Sequence, residues 1–240
     1  MLRRSRAHAE SALRCAVVAL VLLGAIRPDI GLAACSPSTL PPGSPLALVL
    51  SGGGSKGAYE AGVAATFLRQ GLPVRLAAGS SAGALNAAMV ADGRVDQLEA
   101  HWRNLTRDQV YSLRPSLFLA GLLPGWLTLW ALDSAGSLLD PHPLRELIAS
   151  SIDFERIRSS AVRLLIVTSD LARRERRVFD NGTVTVDALM AAAAVPGAFP
   201  PVEVDGALLV DGGLTGRAPV LDALELGGPI ERVVVVMSYA

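Results

Sequence analysis

A chain of 240 residues, 51% hydrophobic and 18% charged, is long enough to bury one proper core and too apolar to be disordered. Its 22 basic and 22 acidic residues cancel, which removes the electrostatic argument for nucleic-acid binding. Lysine occurs once, at Lys56, and every other basic residue is arginine.

Residues 1–34 read as an export signal. Arg3, Arg4, Arg6 and Arg14 make a basic start, and residues 15–26 form an apolar stretch too short to cross a bilayer as a mature helix. "LAAC" at 32–35 resembles the lipobox of bacterial lipoproteins. That resemblance implies cleavage before Cys35, a lipid anchor on its thiol and a place in the bacterial cell envelope. The other reading is ordinary signal cleavage, with Cys35 incidental. Either way no second cysteine remains for an internal disulfide. Residues 35–45, with "SPSTLPPGSP", have the composition of a flexible tether, and the folded domain is expected over 46–240.

"LALVL" at 46–50 is a continuous apolar run, as expected for a strand covered on both faces, and "SGGGSKG" follows directly. In "AYEAGVAATFLRQG", Tyr59, Val63 and Phe67 recur at helical spacing before Gly71 ends the helix. "LPVRLAA" makes a second strand, "GSSAG" a second tight turn, and "ALNAAMVADG" a second helix stopped at Gly93. Further strands are expected at 162–170, 176–180, 207–211 and 232–238, and further helices at 96–105, 143–150 and 187–194. This alternation predicts an α/β fold, a three-layer α/β/α sandwich on a largely parallel sheet. Residues 116–132 read as two short apolar helices broken at Pro124 and Gly125, either a buried hairpin or, through Trp126 and Trp130, a lipid-interface element.

Three stretches carry candidate chemistry. Gly79-Ser80-Ser81-Ala82-Gly83 is a G-x-S-x-G nucleophile elbow, in which glycines leave room for a sharp strand-to-helix turn and the helix N-terminus favours negative charge near the hydroxyl. Gly52, Gly53 and Gly54, with Lys56 and Gly57, form a loop of bare amides suited to an anion or an oxyanion. A dinucleotide site would want an acidic residue after the second strand, where Ala78 runs straight into the elbow, and a P-loop would want serine or threonine after Lys56, where Gly57 stands. No nucleotide is therefore expected. Serine needs a base, yet His8 lies in the signal, His101 on a helix with solvent-facing neighbours and His142 between prolines. Asp211, in "VDGG" after an apolar strand, is the better candidate.

Together these stretches resemble the patatin-like phospholipase family. Its pattern is G-G-G-x-[KR]-G, then G-x-S-x-G, then a distant D-G-[AG], and Lys56 falls at the basic position of the first. "SDL" at 169–171, "AVPGAFPPV" at 194–202 and "VDGALLVDGGL" at 204–214 look like the family's connecting sequence. The resemblance implies a Ser81–Asp211 dyad, an oxyanion hole among Gly52, Gly53 and Gly54, no metal or cofactor, and a lipid or phospholipid substrate met at a membrane surface. A catalytically idle lipid-binding protein and a soluble thioesterase are the alternatives. Where the family usually has an asparagine-rich step after the aspartate, this chain has "TGRAPV" at 215–220; and because the sequence stops at Ala240 just after a strand, where family domains commonly continue with more helices, a short or truncated member of the family is expected.

Overall fold

A computed structural model describes residues 43–113 and 137–238. The expected export signal, Cys35, most of the expected tether and the apolar segment 116–132 lie outside the described residues. The two apolar runs read first from the sequence are β1 (Leu46–Leu50) and β2 (Val74–Gly79), paired in parallel. Around them stand β5 (Arg163–Asp170), β6 (Glu175–Asp180), β7 (Val202–Val204), β8 (Ala207–Asp211) and β9 (Arg232–Val236), in the order β7-β8-β5-β2-β1-β9 with β6 also on β5. The pairs β9–β1, β1–β2 and β2–β5 are parallel, and β6, β8 and β7 add antiparallel pairs on one side. A separate two-residue ladder joins β3 (Ser112–Leu113) to β4 (Leu139–Asp140).

The pleat of β1 divides the core. Leu46, Leu48 and Leu50 face one layer, with α1 (Gly57–Arg69), α2 (Ala82–Asp92), α3 (Val95–Asn104), α4 (His142–Ser151), α5 (Phe154–Arg158) and α6 (Val186–Ala192) contributing to it. Ala47 and Val49 face the other, under Ala223 of α7 (Val220–Leu226). Helices thus cover both faces of the sheet. In α2 every residue but Leu85 is buried, which its run of alanines permits.

One expected face is different. Tyr59 is 62% exposed, and α1 buries Gly57, Glu60, Ala61, Ala64 and Ala65 instead. Small residues let α1 approach α2 and α3 closely, and Val63 and Phe67 pack only partly, along the flank.

The pairing of β5 positions the functional residues. One edge of β5 carries β6 along Leu165 to Asp170, so β2 and β8 must share the other edge. There β2 reaches Gly79 opposite Ile166, and β8, running the opposite way, reaches Asp211 opposite Thr168. Two strands distant in sequence therefore end against one another across Val167.

The elbow glycine at the end of β2 has no room for a side chain: a Cβ on Gly79 would lie 2.1 Å from the Gly83 carbonyl oxygen. Gly79→Ala is expected to cost about 3 kcal/mol or more, lowering the melting temperature by roughly 6–12 °C. In contrast, a Cβ on Gly62, inside α1, meets nothing within 4 Å. Gly62→Ala is expected to stabilise by about 0.5–1 kcal/mol. Thermal unfolding of the two variants checks both signs.

Candidate active site

Ser81 sits between β2 and α2 with φ 57° and ψ −135°, a backbone conformation that costs a non-glycine residue about 1–3 kcal/mol. The neighbours hold it there by proximity. A Cβ on Gly83 would lie 2.5 Å from the Leu50 carbonyl oxygen, and one on Gly52 would lie 2.7 Å from Ser81 Cβ. The elbow and the glycine loop are therefore pressed backbone to backbone, as the two tight turns after β1 and β2 require. Ser81 immediately precedes the first residue of α2, so the hydroxyl lies where the helix dipole favours negative charge.

Asp211 ends β8 and is 5% exposed. Its Oδ1 accepts a 2.7 Å hydrogen bond from the Gly213 amide. Burial pushes the carboxyl up from the ordinary range, while the Gly213 amide and then the hydroxyls of Ser81 and Ser80 hold it down. The two hydroxyls thus act on the carboxyl at close range, although Ser80 Oγ makes no hydrogen bond of full geometry with the described residues. The expected pair, Ser81 and Asp211, is brought together. Gly212 makes the approach possible, since a Cβ there would lie 2.2 Å from the Val167 carbonyl oxygen and 2.9 Å from Ser80 Oγ.

The "TGRAPV" stretch has its own brace. Ser169 Oγ donates to the Asp211 carbonyl at 3.1 Å and lies 3.0 Å from Thr215 Oγ1. Thr215 Oγ1 donates to the Gly212 carbonyl, and Arg176 spans from the Thr215 carbonyl, at 3.1 Å, to Asp222 Oδ2, at 2.9 Å. Hydroxyls and one arginine hold the turn after Asp211.

In the glycine loop, Gly52, Gly53 and Gly54 all have positive φ, at 77°, 128° and 61°. The Gly52 amide is not available to an oxyanion, because it donates to Glu60 Oε1 at 2.8 Å. Among the described residues no partner takes the amides of Gly53 and Gly54, so the expected hole of three amides narrows to two. Lys56 is exposed at the helix start, and its amide closes the turn on the Gly53 carbonyl. Gly57 gives α1 its close contact, with a would-be Cβ 2.8 Å from Trp102.

Beside Ser81 lies a cavity of about 450 Å³, lined by Gly54 and by apolar side chains such as Leu85, Met89, Leu144, Ile148 and Phe199. That size and apolar character suit a small amphiphile's hydrocarbon part. His101, expected among solvent-facing neighbours, is half-buried and lines this cavity, whereas His142 is exposed and pairs with Glu146 on its own helix.

Among the buried polar residues that escaped the sequence reading are Glu60, Asn86 and Ser80. Glu60 is fully buried, and Asn86 donates to the Gly57 carbonyl at 2.9 Å while accepting from Trp102 Nε1 at 2.7 Å. Ser80 is fully buried against Gly212 and Asp211.

A family profile described as patatin-like phospholipase matches residues 48–224. An uncharacterized NTE family protein of Mycobacterium bovis is 31% identical over 177 residues, covering 73% of this chain and 44% of that protein. Lysophospholipase NTE1 of Scheffersomyces stipitis is 25% identical over 182 residues, covering 75% of this chain and 11% of that protein. The chain thus spans less than half the length of these curated relatives. Among solved structures, VipD from Legionella pneumophila aligns with a TM-score of 0.49 at 16% identity, over 72% of this chain and 46% of that one.

Burial of Glu60 pushes its pKa from 4.5 to about 7. Below pH 4.5 both folded and unfolded chains hold this proton and the stabilisation is complete. From 4.5 to 7 only the folded chain holds it, so stability falls with rising pH and levels off above 7. The full effect is up to about 3 kcal/mol. Urea unfolding across this window should show wild type losing more stability than Glu60→Gln, and equal slopes would contradict the assignment.

Proposed function

The chain belongs to the patatin-like phospholipase family, and on that premise we propose that it is a serine acyl hydrolase that cleaves fatty acyl esters of lipids with Ser81 as nucleophile and Asp211 as base. The observation that carries this reading is the buried Asp211 carboxyl interacting with the hydroxyl of strained Ser81, at the edge of an apolar cavity. Ser81 Oγ attacks the ester carbonyl and its proton passes to Asp211. The carbonyl oxygen gains the negative charge, which the Gly53 and Gly54 amides receive. One such donor is worth about 3 kcal/mol in other hydrolases. As the tetrahedral intermediate collapses, the alcohol leaves with the proton from Asp211. Asp211 then takes a proton from water, which attacks the acyl-enzyme, and returns it to Ser81 Oγ as the fatty acid departs.

The raised pKa suits Asp211 to this exchange, since a carboxylate at its ordinary value would be a weaker base. The cavity takes the acyl chain. We further place the reaction at a membrane surface, with Cys35 as the lipid anchor. Supporting that placement, exposed Leu113 and Leu138 flank the cavity-lining Leu139, and exposed Val195 itself lines the cavity.

Ser81→Ala and Asp211→Asn are each expected to lower hydrolysis of p-nitrophenyl butyrate by about 10³-fold or more, with the fold intact by circular dichroism. Either variant retaining the wild-type rate would overturn the dyad. For the anchor, mass analysis of exported protein should find a lipid-modified Cys35 at the new N-terminus, and an unmodified N-terminus elsewhere would exclude it.

A further inference from the structure

Glu60 lies on the first turn of α1, fully enclosed beneath the glycine loop. Its Oε1 accepts from the Ser51 hydroxyl at 2.9 Å and from the Gly52 amide at 2.8 Å, while Oε2 meets no partner among the described residues. The loop thereby turns the Gly52 amide inward. Gly52 itself is wedged against Ser80 and Ser81, so the carboxyl fixes the chain one residue before the amides left free at the cavity.

Every group that acts on Glu60 is neutral. From β1 and the loop come the Ser51 hydroxyl and the Ser51 and Gly52 amides, and from α2 the Asn86 carboxamide. Ser238, after β9, donates its amide to Ser51 Oγ at 3.1 Å. The charged groups of the surrounding elements are engaged elsewhere or face solvent. Lys56 on the loop is exposed, Arg69 of α1 pairs with Glu99 of α3, Arg103 of α3 also reaches Glu99, and Asp92 of α2 pairs with Arg94 and Arg156. His101 of α3 lines the cavity, Tyr59 is exposed, and Asp211 lies across the elbow with the Gly213 amide. No cation stands by to neutralise Glu60 among the described residues, and an ionised carboxyl there would keep one bare oxygen out of water.

Resting on the hydrolase reading above, we propose that Glu60 is a positioning residue for the oxyanion loop and acts as the neutral acid: losing its proton sets a negative charge behind the amides that must receive the developing oxyanion, and so shuts the site down. The uncharged Oε1 still accepts both hydrogen bonds, so the clamp needs no ionisation. Like charges close together in a dry site repel strongly, which is the basis of the shutdown. Burial brings this titration to about pH 7. The reaction then requires Asp211 ionised and Glu60 protonated, which gives a bell-shaped profile with Asp211 on its acid limb and Glu60 on its alkaline limb.

The experiment measures kcat and KM for p-nitrophenyl butyrate from pH 5.5 to 8.5 in wild type, Glu60→Gln and Glu60→Leu, with amide exchange of the Gly52 region followed in parallel. Wild-type kcat is expected to fall about tenfold between pH 7 and 8.5, and Glu60→Gln, which keeps an acceptor but cannot ionise, to lose that limb. Glu60→Leu is expected to lower kcat by about 100-fold with KM changed less than about threefold, and to speed exchange at Gly52. An alkaline limb unchanged in Glu60→Gln, or wild-type kcat in Glu60→Leu, overturns the proposal. If Glu60→Leu does not fold, the Glu60→Gln profile decides. Absence of Ser81-dependent turnover in wild type counts against the hydrolase reading itself, and Gly52 protection then decides whether Glu60 holds the loop, equal exchange in wild type and Glu60→Gln at pH 6 and 8 supporting the clamp and rapid exchange in wild type overturning it.

Discussion

The whole site depends on two strand ends meeting on one edge of β5. Because β6 occupies the opposite edge, β2 and β8 have to share what remains, and they run toward each other until Gly79 and Asp211 stand across from Ile166 and Thr168. A hydroxyl and a carboxyl from positions 130 residues apart in sequence are thereby set side by side. Only backbone fits at this junction. Gly52, Gly79, Gly83 and Gly212 each stand where a Cβ would come within 2.5 Å of a carbonyl oxygen. Their absence of side chains is a packing requirement that also leaves amides bare.

Around this junction the protein buries polar groups that an ordinary core would exclude. Glu60, Asn86 and Trp102 tie the glycine loop to α1, α2 and α3 through a short series of hydrogen bonds. On the far side Ser169, Thr215 and Arg176 hold the turn after Asp211. Buried polar networks of this kind stabilise a fold only when nearly every member is satisfied. Of the four buried side-chain atoms without a hydrogen-bond partner among the described residues, Glu60 Oε2 and Ser80 Oγ lie beside the glycine loop and the elbow, and Asp92 Oδ1 and Arg232 Nε lie elsewhere. The positive φ of Ser81 marks the same place as strained.

Much of this was legible in the amino-acid order. Continuous apolar runs followed at once by glycine-rich turns located β1, β2 and both loops, and the strand expected at 207–211 is β8 to the residue. Tyr59 misled because periodicity counts bulk, whereas α1 packs through glycine and alanine, and close approach made the small residues the buried ones. Glu60 was invisible for a related reason. An acidic residue on a helix ordinarily faces water, and only the position of the loop above it explains its burial. The roles of Thr215 and Arg176 depend on a contact between segments 39 residues apart, which no local pattern encodes.

The proposed dyad rests on the Ser81 hydroxyl acting on the buried Asp211 carboxyl. Its most direct test is the titration of Asp211, followed by carbon-13 NMR of labelled aspartate in wild type and in Ser81→Ala. Burial predicts a pKa above the ordinary 3.8 in wild type, and loss of the Ser81 hydroxyl, which holds it down, predicts a further rise in the variant. An Asp211 that titrates at the ordinary value, or one indifferent to the removal of Ser81, would contradict the account.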